Sequence, residues 1–125
     1  MKNPPDTYIT LSIDEIIALD PDVISIVHTN NELNDQQLRE KFSLFASYFS
    51  ATRAYADKQI YWCGYDVIGG TAGPSALLYL ASMIWPGEFD RDEGLAQMQD
   101  YYDKFTNADF KLEQTRYVPL GMVDL

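Results

Sequence analysis

Cysteine, histidine and basic side chains are all scarce in this sequence. Cys63 is the only cysteine and His28 the only histidine in 125 residues. A single cysteine forms no intramolecular disulfide and no multi-cysteine zinc site. A single histidine leaves one candidate base for a nucleophile system, and no G-x-S-x-G elbow, H-E-x-x-H pair or EF-hand loop is present. Nine Lys and Arg face nineteen Asp and Glu, a net charge of -10. That balance argues against a nucleic-acid partner, whose phosphates need a basic face, and against docking on anionic lipid. It permits a cationic protein surface as partner. No apolar run approaches the roughly 18 residues of a membrane span. Met1 to Pro5 carries no hydrophobic signal region, so the chain as given does not read as a secretory precursor, although an excised piece of one fits.

What is present suits one folded domain. Hydrophobic residues make up 46% of the chain, enough to fill a core at this length. Residues 1–10, with the Pro4-Pro5 pair, read as a lead-in. Ser12-Ile13-Asp14-Glu15 has the pattern of a capping box opening a helix. Ile16, Ile17 and Leu19 follow as its apolar face, and Asp20-Pro21-Asp22 ends it. Val23 to Val27 is a short β-branched strand, and His28 to Asn31 form the loop at its carboxyl end. Asn34 or Asp35 caps the next helix, whose Leu38, Phe42, Phe45 and Phe49 share one face. Gln59 to Cys63 is a second strand. Gly64 to Gly73 reads as a long loop with glycines placed for φ > 0, and Pro74 as a first helical residue. Ala76 to Trp85 is apolar on all sides and reads as a buried helix. Asp90-Arg91-Asp92-Glu93 opens a last helix faced by Leu95, Met98, Tyr102 and Phe105. The remaining tail reads as mostly irregular. The fold class is α/β: a partial three-layer lobe with a short, mostly parallel sheet flanked by helices. Two strands make a poor sheet, so either the tail adds another or part of the domain lies outside this chain.

The chemistry is that of a binding module. Asp20/Asp22 and Asp90/Asp92 look like turn and cap residues, not an acid/base pair. His28 lies where open α/β sheets bind ligands, outside the carboxyl end of a strand. Gly69 to Gly73 lacks a P-loop lysine and the G-x-G-x-x-G spacing, but amides at the following helix start can face an anion. Tyr65, in the glycine loop, is free to stack on a flat ligand. Tyr8 in the lead-in is similar.

Leu11 to Ile24 resembles the "slEeilaldPDvIi" stretch of class III substrate-binding proteins, which deliver iron-siderophores, haem or cobalamin to ABC importers. Ala54 to Trp62 resembles their "Avk-g-rVyv" segment. Ala76 to Ala81 with Trp85 to Phe89 resembles "lLylAkllyPe-F", and Asp100 to Phe105 resembles "-eyy-kf". The ordered set covers most of residues 11–106 and corresponds to the later part of the C-terminal lobe, with 107–125 as a tail. The resemblance implies a ligand held between this lobe and an N-terminal lobe that has no counterpart here. It implies no resident cofactor, an iron or cobalt chelate as ligand, and an extracytoplasmic location. A family glutamate that pairs with a permease arginine corresponds to Asp14, with Glu15 beside it. Ligand contacts map to the loop after the second strand, hence Tyr65, Asp66, Gly70 and Thr71, with Tyr8 and His28 as further candidates. The arginine some relatives carry in that loop is absent, with Thr71 near its place. The competing expectation is a free-standing α/β interaction or structural protein derived from such a lobe, a homodimer that covers its own sheet edge.

Overall fold

The computed structural model describes residues 9–29, 32–105 and 119–125. The chain is mixed α/β, as its sequence pattern requires. A three-stranded sheet in the order β1-β2-β3 is formed by Ile24–His28 (β1), Ile60–Gly64 (β2) and Leu120–Gly121 (β3). β1 and β2 are parallel, pairing Ile24 with Ile60 through His28 with Gly64. β3 runs antiparallel to β2, with Tyr61 opposite Gly121 and Trp62 opposite Leu120. The tail therefore supplies the missing strand.

α1 (Ile13–Leu19) begins as its sequence dictates. The Ser12 hydroxyl accepts from the Glu15 amide, and the Glu15 carboxylate accepts from the Ser12 amide at 2.7 Å and its hydroxyl at 2.9 Å. Two orphan donors at the helix start are satisfied at once. The helix ends at Asp20, held in the left-handed region at φ 46. Arg53 holds that turn. Its amide and Nε donate to the Asp20 carboxylate, both at 2.8 Å, and its Nη1 lies 2.8 Å from Asp22. Asp20 and Asp22 are thus the turn residues expected of them. These bonds from Arg53 hold the Asp20 carboxyl below the usual aspartate range, as Ser12 does for Glu15.

α2 (Asp35–Ser47) is opened by a second capping box, between Asn34 and Gln37. Leu38, Phe42 and Ala46 of α2 are buried, with Phe49 beyond it. A short α3 (Arg53–Ala56), capped by Thr52, leads into β2. Two layers of helix enclose the sheet. On one face Phe42, Ala46, Phe49 and Ala54 pack on Ile60, Trp62 and Leu120, and Ile16 of α1 joins them. On the other, Tyr61 and Cys63 meet Leu80 of α5 (Gly73–Ile84). Successive β2 side chains point to opposite faces, so burial on both sides makes the whole strand apolar. α6 (Arg91–Phe105) packs outside α5 through Tyr79, Met98 and Leu95.

Several expectations are revised. Gly64 to Gly73 is not a continuous loop, because Tyr65–Ile68 forms a helical turn, α4. The described glycines have no φ > 0. Those near α4 are needed for close approach instead: a Cβ on Gly73 would lie 2.7 Å from the Ile68 carbonyl oxygen. α5 is not wholly buried, since Leu77 is 53% exposed and Trp85 is exposed beyond its end. Leu19 and Phe105, expected on apolar faces, are exposed. The final segment is pinned: Arg39 donates to the Asp124 carbonyl at 2.6 Å, and Arg91 lies 3.3 Å from the Asp124 carboxylate. A 3₁₀ turn, Met122–Asp124, closes it.

Two outcomes follow from this packing. Gly94 sits where α6 crosses α5, and a Cβ there would lie 2.9 Å from the Tyr79 Cα. Gly94→Ala gains about 1 kcal/mol of helix propensity. Pushing two backbones apart costs about 1–3 kcal/mol, so thermal denaturation is expected to show a net loss of stability. Asp20 has a depressed pKa in the fold, so its contribution is present above its unfolded value and lost as pH falls through the lower folded one. Asp20→Asn should therefore flatten the fall of stability below about pH 4, measured by urea denaturation across that range.

Candidate functional site

β1 and β2 present their carboxyl ends on one side of the sheet, the side on which open α/β folds bind ligands. β2 passes directly into α4 there, so Tyr65 is the first helical residue after the strand. Tyr65 is 58% exposed. Its ring lies 3.5 Å from where a Cβ on Gly69 would stand, so the glycine lets the ring lie against the turn. The Gly69 amide donates to the Tyr65 carbonyl at 2.8 Å, and the Gly73 amide donates to the Gly70 carbonyl at 3.0 Å. Gly70 and Thr71 are exposed at the tip of this compact turn. The Thr71 hydroxyl is hydrogen-bonded to the Tyr101 hydroxyl of α6.

The anion-binding reading of the glycine segment loses much of its basis. The first amide of α5, on Gly73, is already bonded within the turn, and Pro74 has none. A helix start with two of its first three amides unavailable is a poor phosphate cradle. Lys104, the basic residue on the nearby face of α6, is held by Asp100 at 2.7 Å.

His28 is the last residue of β1, not part of a loop. It is 5% exposed, and its ring stacks on Trp62 at 4.7 Å with an interplanar angle of 17°. The structure thus places it at the end of the core, with little surface to offer a ligand. Asp66 lies within α4. Tyr8 lies outside the described residues. Tyr65, Gly70 and Thr71 are therefore brought to one exposed end, and His28 is turned inward beside them.

Asp14 and Glu15 are sorted by the capping box. Glu15 is committed to Ser12. Asp14, one position earlier in the first turn, is exposed, and its carboxylate takes no part in that box.

Two features escaped sequence reasoning. Tyr101 reaches Thr71 through its hydroxyl and, with Phe105, lines a shallow cavity on α6, although Tyr101 is one residue off the apolar stripe of that helix. A larger cavity of about 630 Å³ opens at the other end of the sheet, before β2, where Lys58, Tyr61, Met83, Phe89 and Arg91 contribute to its wall. Arg91 is already engaged there by the Tyr79 hydroxyl at 2.7 Å and by Asp124. Among the described residues no group of three or more His, Cys, Asp or Glu is gathered to hold a metal ion. No described helix is long and apolar enough to cross a membrane. Comparison with known protein families, curated proteins and solved structures yields no match.

Cys63 lies on the α5 face of β2, fully buried, with its sulfur 3.6 Å from the Ser25 hydroxyl. Burial pushes its thiol pKa above the ordinary value of 9.0, against a smaller opposing effect of Ser25. The thiol thus stays neutral in the fold at pH values where it ionises in the unfolded chain, and stability falls as pH rises past that unfolded value. Iodoacetamide at pH 8 should leave Cys63 largely unmodified in the native protein and alkylate it rapidly in 6 M guanidinium, about the concentration that unfolds even hyperstable domains. Equal rates in both states would show that β2 is open to solvent.

Proposed function

We propose that this chain is the C-terminal lobe of the substrate-binding component of an ABC importer for a metal chelate, a ferric siderophore, haem or cobalamin. It binds and hands over its ligand and performs no chemistry on it. The observation that carries the reading is the placing of Tyr65, Gly70 and Thr71, the residues aligned with the family's ligand loop, on one exposed turn at the carboxyl ends of parallel strands. An aromatic ring backed by a tight glycine turn is a suitable face for a flat ligand.

A second support is the acidic helix α1. In the resembling family a carboxylate at this place pairs with a permease arginine. Here Asp14 is exposed on a rigidly capped helix and Glu15 is consumed by the cap. Docking therefore falls to Asp14, on a chain whose net charge of -10 suits a cationic partner. On this reading the working protein stands outside the cytoplasm, facing the permease.

One observation favours the alternative of an interaction protein. β1 is the outer strand of the sheet among the described residues, so its far edge has no strand partner there. In the receptor reading that edge continues into the rest of the lobe. In the alternative a second copy covers it.

The test is made in the source cell. Deleting the gene should abolish uptake of one chelate, and the wild-type gene should restore it. Asp14→Lys should fail to restore uptake while leaving chelate binding intact, whereas Asp14→Glu should restore it. Undiminished uptake in the deletion strain for every chelate class would overturn the proposal.

A further inference from the structure

α6 carries an aromatic pair, Tyr101 and Phe105, that the core does not use. The buried positions of α6 are Gly94 and Met98, with Leu95 and Tyr102 half-buried behind α5. Tyr101 and Phe105, four residues apart and so on one helical face, lie off that stripe. Their ring centroids are 5.2 Å apart, tilted by 36°. Phe105 is 72% exposed. One exposed phenylalanine needs no explanation. A pair is different when the second ring, half-buried Tyr101, is bonded through its hydroxyl to Thr71, at the tip of the candidate ligand turn.

The surface between them has a definite chemistry. A shallow cavity of about 370 Å³ lies there, with Ser75, Gln97, Asp100, Tyr101, Lys104 and Phe105 around it. Its one cation and one anion, Lys104 and Asp100, neutralise each other at 2.7 Å. What remains is an open aromatic ring edged by hydroxyl and amide groups, with no net charge. Such a surface holds a flat, weakly charged ring system better than a compact polyanion, whose desolvated charges would meet no free cation.

We propose that α6 forms a second wall of the ligand surface, with Phe105 stacking on a flat macrocyclic ring and Tyr101 fixing Thr71 as a hydrogen-bonding edge. The ligand is then a ring chelate of the tetrapyrrole or corrin type, not a polyanionic open-chain one. This rests on the receptor reading above, and it adds residues from a different element.

The experiment is an amide chemical-shift titration of the uniformly ¹⁵N-labelled 125-residue chain, which registers weak binding. Cyanocobalamin, haemin and a ferric trihydroxamate are the probes. Cyanocobalamin or haemin is expected to shift amides of both Tyr65–Thr71 and Tyr101–Phe105. Phe105→Leu, which keeps apolar bulk without a flat ring, should weaken binding roughly five- to tenfold, a typical aromatic-pair contribution, and Phe105→Ala at least as much. Shifts confined to 65–71, or unchanged affinity in both Phe105 variants, would remove α6 from the site and leave the receptor reading standing. Shifts with the trihydroxamate alone would overturn the ring-chelate assignment. Silence of both segments to cyanocobalamin and to haemin would overturn this proposal, and silence to the trihydroxamate as well would overturn the receptor reading with it.

Discussion

Trp62 is the contact on which the rest of the fold depends. It sits in the middle of β2, 1% exposed, with His28 stacked on it and Phe42 and Phe45 each at 5.7 Å. Through this one ring, β1, α2 and β2 are held in a single layer of packing, and Leu120 of β3 lies beside it in the sheet. Its strand neighbours Tyr61 and Cys63 face the opposite layer. The strand is therefore shared by two cores, and its pairing with β1 fixes how the helices on either side approach each other. The position of the candidate site follows, because Gly64 ends this strand and Tyr65 begins the turn that carries the candidate residues.

The parts legible in the sequence are those whose physics is local. The capping box at Ser12 needs only residues three apart and forms, and of the two caps open at Asn34 or Asp35 the structure takes Asn34, with Gln37 completing a box. The Phe42–Phe49 stripe is legible because a helix repeats its face within a few residues. The α/β class follows from strand and helix signals alternating. β3 was hardly legible, since two residues carry no periodicity and their pairing partner lies far away in the chain. The glycines were misjudged because sequence does not separate a glycine kept for φ > 0 from one kept for close contact. Gly73, against the Ile68 carbonyl, is the second kind.

The same limit explains the site. The family pattern pointed to Tyr65 and Thr71 by position, and the fold sets both on one exposed turn. His28 shared that positional logic but has its ring against Trp62, because alternation along β1 puts Ile24, Ile26 and His28 on the core side. A period of two, applied from Ile24, would have shown this. Tyr101 is harder to find. On α6 it reads as a flanking residue of the Met98–Tyr102 stripe, and only the fold brings it to Thr71.

The antiparallel partner of Trp62 has a bearing on how the molecule assembles itself. Leu120 is about sixty residues further along the chain, and closing a loop of that length comes late relative to local helix formation. Until then β2, already paired with β1, has its other edge bare and its most apolar side chains half-covered. During synthesis that interval lasts until the ribosome has released the segment held by Arg39 and Arg91. The nascent chain is most prone to stick to its neighbours in that window, so its yield in a cell depends on translation speed and chaperone supply as well as on the stability of the finished fold.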